Sequence, residues 1–290
     1  MKDPVKGFFY ALAGVVLVST NFVTAKYGLK GFNPESFTLI WTISATFYSF
    51  LICLFFEESR HQLFSPPHLK ALLSLGIITG ITMLLCWKGL SLLDPVFASL
   101  LWRFLPVITA IAGVVLFKER LLREEIIAIA IMVAGSFYSI NGKWDIVGKG
   151  VFYIILATLA GAAQLLIAKA YSKKIDINVM VAYRVGIAAA FVFMWDMFSG
   201  KINLSSVPLK YWLVSMLGAF LGPCASFLFT FRSYRYWELS KASILLTLQP
   251  VFVLPFAYIF LGTLPDKKEL IGGTVILFGA IWLALIQAKK

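Results

Sequence analysis

Ten apolar runs dominate the chain, at about residues 7–27, 36–56, 69–91, 95–117, 125–141, 149–170, 178–198, 209–231, 240–262 and 269–288. A helix needs roughly 20 apolar residues to cross the hydrocarbon of a bilayer, so each run predicts one membrane-spanning α-helix. Strands are excluded: in lipid they must close into a barrel with alternating polarity, and these runs alternate nowhere. Connectors as short as residues 118–124 and 141–149 force neighbouring helices to be antiparallel. Composition agrees, with 60% of the 290 residues hydrophobic and 14% charged, against roughly 25% charged in an average soluble protein. A soluble enzyme, a disordered chain and a secreted disulfide scaffold are all excluded.

The net charge of +12 is not the footprint of nucleic acid. The Lys and Arg residues are scattered between apolar runs and form no basic stripe or nucleic-acid motif. With the N-terminus inside, fifteen of them fall on cytoplasmic connectors and ends, and nine on external ones. That bias predicts both termini on the cytoplasmic side of the inner or plasma membrane. Lys2 and Lys6 precede an apolar run of full span length that ends without a small-residue cleavage site, so no cleavable signal peptide is expected. Cys53, Cys86 and Cys224 lie inside separate runs and read as small core hydrophobes.

The two halves repeat. Ala98, Ser99, Pro106 and Val107 recur 144 residues later as Ala242, Ser243, Pro250 and Val251, and Glu125, Ile127 and Gly135 recur as Glu269, Ile271 and Gly279. With a slip of one residue, Asn21 corresponds to Gln164, Lys26 to Lys169 and Trp41 to Arg184. The division is therefore residues 1–143 and 144–290, with five spans in each. Five is odd, so the second unit enters the membrane upside down relative to the first. Inverted repeats supply two nearly equivalent packings with a site between them, a device of transporters. The fold class expected is all-α, ten transmembrane helices as two inverted five-helix repeats.

Across essentially its whole length the chain resembles the ten-span, EamA-type members of the drug/metabolite transporter superfamily. The residues that carry the resemblance are Asn21-Phe22-Val23 with Lys26, Phe104-Leu105-Pro106-Val107 with Leu116-Phe117-Lys118-Glu119-Arg120, and the run Glu125 to Gly135. Leu248-Gln249-Pro250-Val251 and Glu269 to Gly279 repeat them in the second half. The family often has Arg in the second span where this chain has Trp41, while Arg184 keeps it in the seventh; Glu119 is matched by Thr263. The resemblance implies a secondary transporter and implies that Lys26 lines the substrate path. It does not specify a substrate.

Polar groups inside the spans mark the candidate site. Arg103 lies about eight residues, roughly 12 Å, into the fourth span, where a guanidinium costs at least ~2.5 kcal/mol unless it faces a wet cavity or a partner. Arg184 is similarly placed in the seventh. Their forks suit carboxylate or phosphate; the alternative is a structural pair with Asp94, Asp196 or Glu238. Asn21 and Gln164 need partners that a central cavity supplies, and Gln249 precedes a proline. Lys26 and Lys169 end the first span of each repeat, where snorkelling to the interface also explains them. Trp41, Trp102, Tyr183 and Trp195 are candidate aromatic walls, or interfacial packing. Pro106 and Pro250 fall mid-helix, and each frees the carbonyl four residues earlier, near 102 and 246, bending the helix or gating the cavity.

His61 and His68 share one loop with no neighbouring cysteine, and no nucleophile elbow, phosphate loop or metal motif occurs, so no metal or cofactor is expected. The reading is a secondary transporter, monomer or homodimer, moving a small polar or amphipathic metabolite that bears a carboxylate, such as an amino acid or organic acid, by alternating access as exporter or exchanger. No nucleic-acid partner is expected; the partners are the solute and the lipid bilayer. An integral-membrane enzyme acting on an anionic lipid-linked substrate and a channel are the alternatives. No acidic residue lies near a span centre, which favours exchange or facilitated diffusion; Asp196, near the external end of the seventh span, is the one candidate for proton coupling.

Overall fold

The computed structural model describes residues 4–105, 107–108, 122–140, 147–236 and 245–289. Pro106 and the 143/144 boundary lie outside the described residues. Within them the chain is all helix and turn, with no strand. The helices are α1 (Pro4–Gly28), α2 (Pro34–Phe55), α3 (Glu57–Phe64), α4 (Leu69–Leu92), α5 (Pro95–Leu101), α6 (Arg123–Ile140), α7 (Lys149–Tyr171), α8 (Ile177–Ser199), α9 (Leu209–Ala219), α10 (Phe227–Tyr236), α11 (Gln249–Leu261) and α12 (Lys267–Lys289). A 3₁₀ turn, Trp102–Phe104, follows α5, and a π-helical segment, Phe220–Ser226, joins α9 to α10. Among the described residues six helices, counting 209–236 as one, are long and apolar enough to cross a membrane. Large apolar side chains face outward along them, with Phe198 91% exposed and Phe55 77%. Such outward apolar surface is stable only against lipid.

Local chemistry sets the helix ends, and it does so twice. Asn33 caps α2 by accepting from the Ser36 amide, and Asp176, 143 residues on, caps α8 by accepting from the Asn178 and Val179 amides. Glu125 accepts from the Leu122 amide at the start of α6, and Glu269 accepts from the Asp266 amide at the start of α12. Lys26 Nζ donates to the carbonyls of Leu90, Ser91 and Leu93 at 2.8, 3.2 and 2.7 Å. Lys169 Nζ donates to the Tyr234 carbonyl at 2.9 Å. Each lysine thus caps the C-terminal end of a helix from the same half, where a cation meets the negative pole of the dipole.

The packing repeats as well. In the seam between α6 and α12, a Cβ on Gly135 would stand 2.8 Å from the Gly272 carbonyl, and one on Gly279 would stand 3.0 Å from the Ala128 carbonyl. Gly135 and Gly279 are repeat mates, and so are Ala128 and Gly272, which makes the contact reciprocal.

Two interruptions aim polar backbone at the middle of the molecule. Pro223 has no amide hydrogen to close an α-turn on the Ala219 carbonyl, and the chain widens there into the π-helical segment. Pro250 sits inside the apolar helical stretch Leu245–Leu261, whose ladder is interrupted at Leu248, so that α11 proper begins at Gln249 with Pro250 in its first turn. The bonds across the break are the Leu248 amide to the Leu245 carbonyl and the Val251 amide to the Leu248 carbonyl, both 3.0 Å.

Candidate functional site

A cavity of about 110 Å³ lies between the two halves. The first half supplies Val18, Asn21 and Phe22 from α1, Thr82, Met83, Cys86 and Trp87 from α4, and Trp102, Arg103 and Leu105 from the segment after α5. The second supplies Gly161, Gln164 and Leu165 from α7, Arg184 from α8, Phe227 and Thr230 from α10, Leu246, and Gln249 from α11. Two guanidinium groups therefore share one largely apolar cavity, with no Asp or Glu among its described lining residues.

Each arginine is held by neutral oxygens. Arg103 Nε donates to the Ser99 carbonyl at 3.2 Å, Nη1 to the Leu246 carbonyl, and Nη2 to Gln249 Oε1 at 2.5 Å. Gln249 is anchored to α1 in turn: its Nε2 donates to the Val18 carbonyl at 3.3 Å, and Ser19 Oγ donates to the Gln249 main-chain carbonyl at 3.3 Å. Arg184 Nη1 donates to Gln164 Oε1 at 2.7 Å and Nη2 to the Pro223 carbonyl at 2.5 Å. Its guanidinium carbon stacks 3.7 Å from the Phe227 ring centroid. Thr79 Oγ1 donates to Gln164 Oε1 at 3.0 Å, tying this pair back to the first half. Neither Asp94 nor Asp196 pairs with either arginine; Glu238 lies outside the described residues.

Hydrogen-bonding capacity is left over at the wall. Asn21 Oδ1 and Arg184 Nε are buried without a hydrogen-bond partner. Space for these groups comes from glycines. A Cβ on Gly222 would collide with the Asn21 amide, and one on Gly161 would press on the Trp102 ring at 3.0 Å.

Of the residues predicted from the sequence, Asn21, Trp102, Arg103, Gln164, Arg184 and Gln249 meet in this cavity. Lys26 and Lys169 do not; they cap helices. Trp41 stands one layer back, its ring 5.2 Å from that of Trp87, which faces the cavity. Tyr183 turns away and donates its hydroxyl to the Leu63 carbonyl at 2.7 Å. Trp195 is 54% exposed on the outer surface. Pro250 is buried beside Gln249 but off the lining. Asp196 is buried near the end of α8, away from the cavity, with neither carboxyl oxygen hydrogen-bonded. Sequence reasoning missed Trp87, Phe227, Thr230 and the Pro223 break. The last had a signal, the Gly222-Pro223 pair in the middle of an apolar run.

The sequence model of the EamA-like transporter family matches residues 5–141 and again residues 148–285. An "uncharacterized transporter" of Haemophilus influenzae is 25% identical over 98% of this chain and 96% of its own. One of Synechocystis sp. is 24% identical over 100% and 89%, and one of Bacillus subtilis is 22% identical over 92% and 89%. A solved crystal structure shares the fold with a TM-score of 0.66 at 14% identity, covering 98% of both chains.

Proposed function

The chain belongs to the EamA-like transporter family and is an integral membrane transporter; from that premise we propose that it carries a small carboxylate-bearing metabolite by alternating access. The carrying observation is the pair of guanidinium groups in one apolar cavity with no carboxylate among its described lining residues. A buried cation without a counter-ion is costly, and an anionic solute supplies that counter-ion through the fork geometry of arginine. The unpaired Asn21 Oδ1 and Arg184 Nε offer one acceptor and one donor, which fits an amino acid or an organic acid with a second polar group. Trp87, Trp102, Phe22 and Phe227 enclose an apolar portion.

Ten spans in two inverted units, residues 1–143 and 144–290, with both termini on the cytoplasmic side, complete the reading. The reciprocal Gly135–Gly272 and Gly279–Ala128 contacts support it, because reciprocity of that kind is what a two-fold axis produces. The duplicated caps at offsets of 143 and 144 support it too. Transport is exchange or facilitated diffusion, since the described cavity lining offers no carboxyl or imidazole to load a proton.

The test is a thermal-shift screen of the purified protein against paired carboxylates and their neutral amides. A ligand of the folded state raises apparent stability. The reading expects stabilisation by carboxylates and none by the amides; equal stabilisation by both would remove the anion from it.

A further inference from the structure

Pro250 cannot donate a hydrogen bond, so the carbonyl of Leu246, four residues earlier, loses the partner an α-helix would give it. Arg103 takes that place: Nη1 donates to the Leu246 carbonyl and Nη2 to Gln249 Oε1. The guanidinium comes from the first half and both acceptors from the second. Gln249 is held in turn by the Val18 carbonyl and Ser19 Oγ, so a single cluster joins α1, the Arg103 turn and the broken start of α11. The same guanidinium lines the cavity.

We propose that Arg103 is a latch between the halves and that an anionic solute opens it by competing with the Leu246 carbonyl and Gln249 for the guanidinium donors. This rests on the anion-carrying reading above. An arginine has five N–H donors, and a carboxylate takes two of them side by side. A charged acceptor forms the stronger bond, so solute binding draws donors away from the neutral oxygens. The Leu246 carbonyl is then unpaired, and the break at residues 245–249 is free to rearrange. Binding is thereby coupled to the conformational step through one side chain. Pro250 is the residue that makes this competition necessary, because any other residue there would satisfy the carbonyl itself.

The experiment uses the full chain in lipid nanodiscs, with benzoate as the anionic probe and benzamide as its neutral control. Benzoate should bind in an Arg103-dependent manner and speed amide exchange in residues 245–252. In Pro250→Ala the restored amide takes the Leu246 carbonyl, so Arg103 is free in advance. That variant should bind benzoate about three- to tenfold more tightly, with exchange at 245–252 slow and no longer moved by benzoate. Gln249→Leu, which removes the side-chain acceptor together with the Nε2 bond to the Val18 carbonyl but leaves Pro250 in place, should also tighten binding and serves if Pro250→Ala fails to fold. If benzoate binds through Arg103 yet neither variant tightens it and exchange at 245–252 is unmoved, the latch is wrong while the anion site stands. If Arg103→Ala binds benzoate as the wild type does, or benzamide binds equally well, the anion site itself is wrong and the latch falls with it.

Discussion

Gly135 lies against Gly272 closely enough that a Cβ on Gly135 would stand 2.8 Å from the Gly272 carbonyl oxygen. Gly272 is tighter still, since its own Cβ would run into the Gly135 carbonyl and the Ser139 hydroxyl. The seam between α6 and α12 is therefore a backbone-to-backbone approach, as small residues allow between helices in lipid.

Gly272→Ala should destabilise the protein by about 1–3 kcal/mol, the range for overpacking a closed contact. Gly186→Ala is the comparison, because its Cβ would meet nothing nearer than the edge of the Phe50 ring at 3.3 Å. Melting in detergent followed by fluorescence reads both. A Gly272 variant as stable as the Gly186 variant would contradict the seam.

Lys26 bears three carbonyl contacts at the end of α4, so Lys26→Met should lower stability by roughly 1–3 kcal/mol and leave benzoate affinity unchanged. The opposite pattern, normal melting with weakened binding, would put Lys26 on the solute path, as the family resemblance implies.

These two cases mark what was readable in advance. Apart from the runs 95–117 and 240–262, which extend outside the described residues, the apolar runs give the described helices to within about five residues, because hydrophobic length and flanking polarity are local properties. Arg103, Arg184, Asn21 and Gln164 were legible as cavity residues because a polar group deep in a span has few other places to go. Lys26 and Trp41 were misplaced for a tertiary reason. Nothing in the sequence tells a lysine at a helix end whether a neighbouring helix will finish beside it, and Trp41 is screened from the cavity by Trp87. Pro250 reads from the sequence as a break inside an apolar span that frees the carbonyl near 246, and the helical stretch Leu245–Leu261 is interrupted at Leu248 with the Leu246 carbonyl taken by Arg103.

Arg103→Ala should weaken binding of a carboxylate probe by about 10–100-fold, from the ~1.5–3 kcal/mol of a charge-assisted bond. Arg103→Lys should retain part of it, since the charge survives and the fork does not. Isothermal titration in nanodiscs measures both. Unchanged affinity in the alanine variant, with reduced yield alone, would assign Arg103 a structural role.

Among the described residues Asp196 is the candidate carboxyl for proton coupling, buried with both oxygens unpaired. Solute flux into proteoliposomes, with and without an imposed pH gradient at zero membrane potential, should show no uphill accumulation. Accumulation driven by the gradient and abolished by Asp196→Asn would replace exchange with proton-coupled transport.

The central claim, a carrier whose two arginines recognise an anion, is tested most directly by counterflow. Proteoliposomes are loaded in turn with unlabelled L-phenylalanine, L-glutamate, succinate or 4-hydroxybenzoate, and the labelled form is offered outside. Matching amides serve as controls. The account predicts that at least one carboxylate enters faster against its own internal pool, that no amide does, and that Arg103→Ala abolishes the stimulation. Entry of every carboxylate at a rate indifferent to the internal pool, or equal stimulation by an amide, would contradict it.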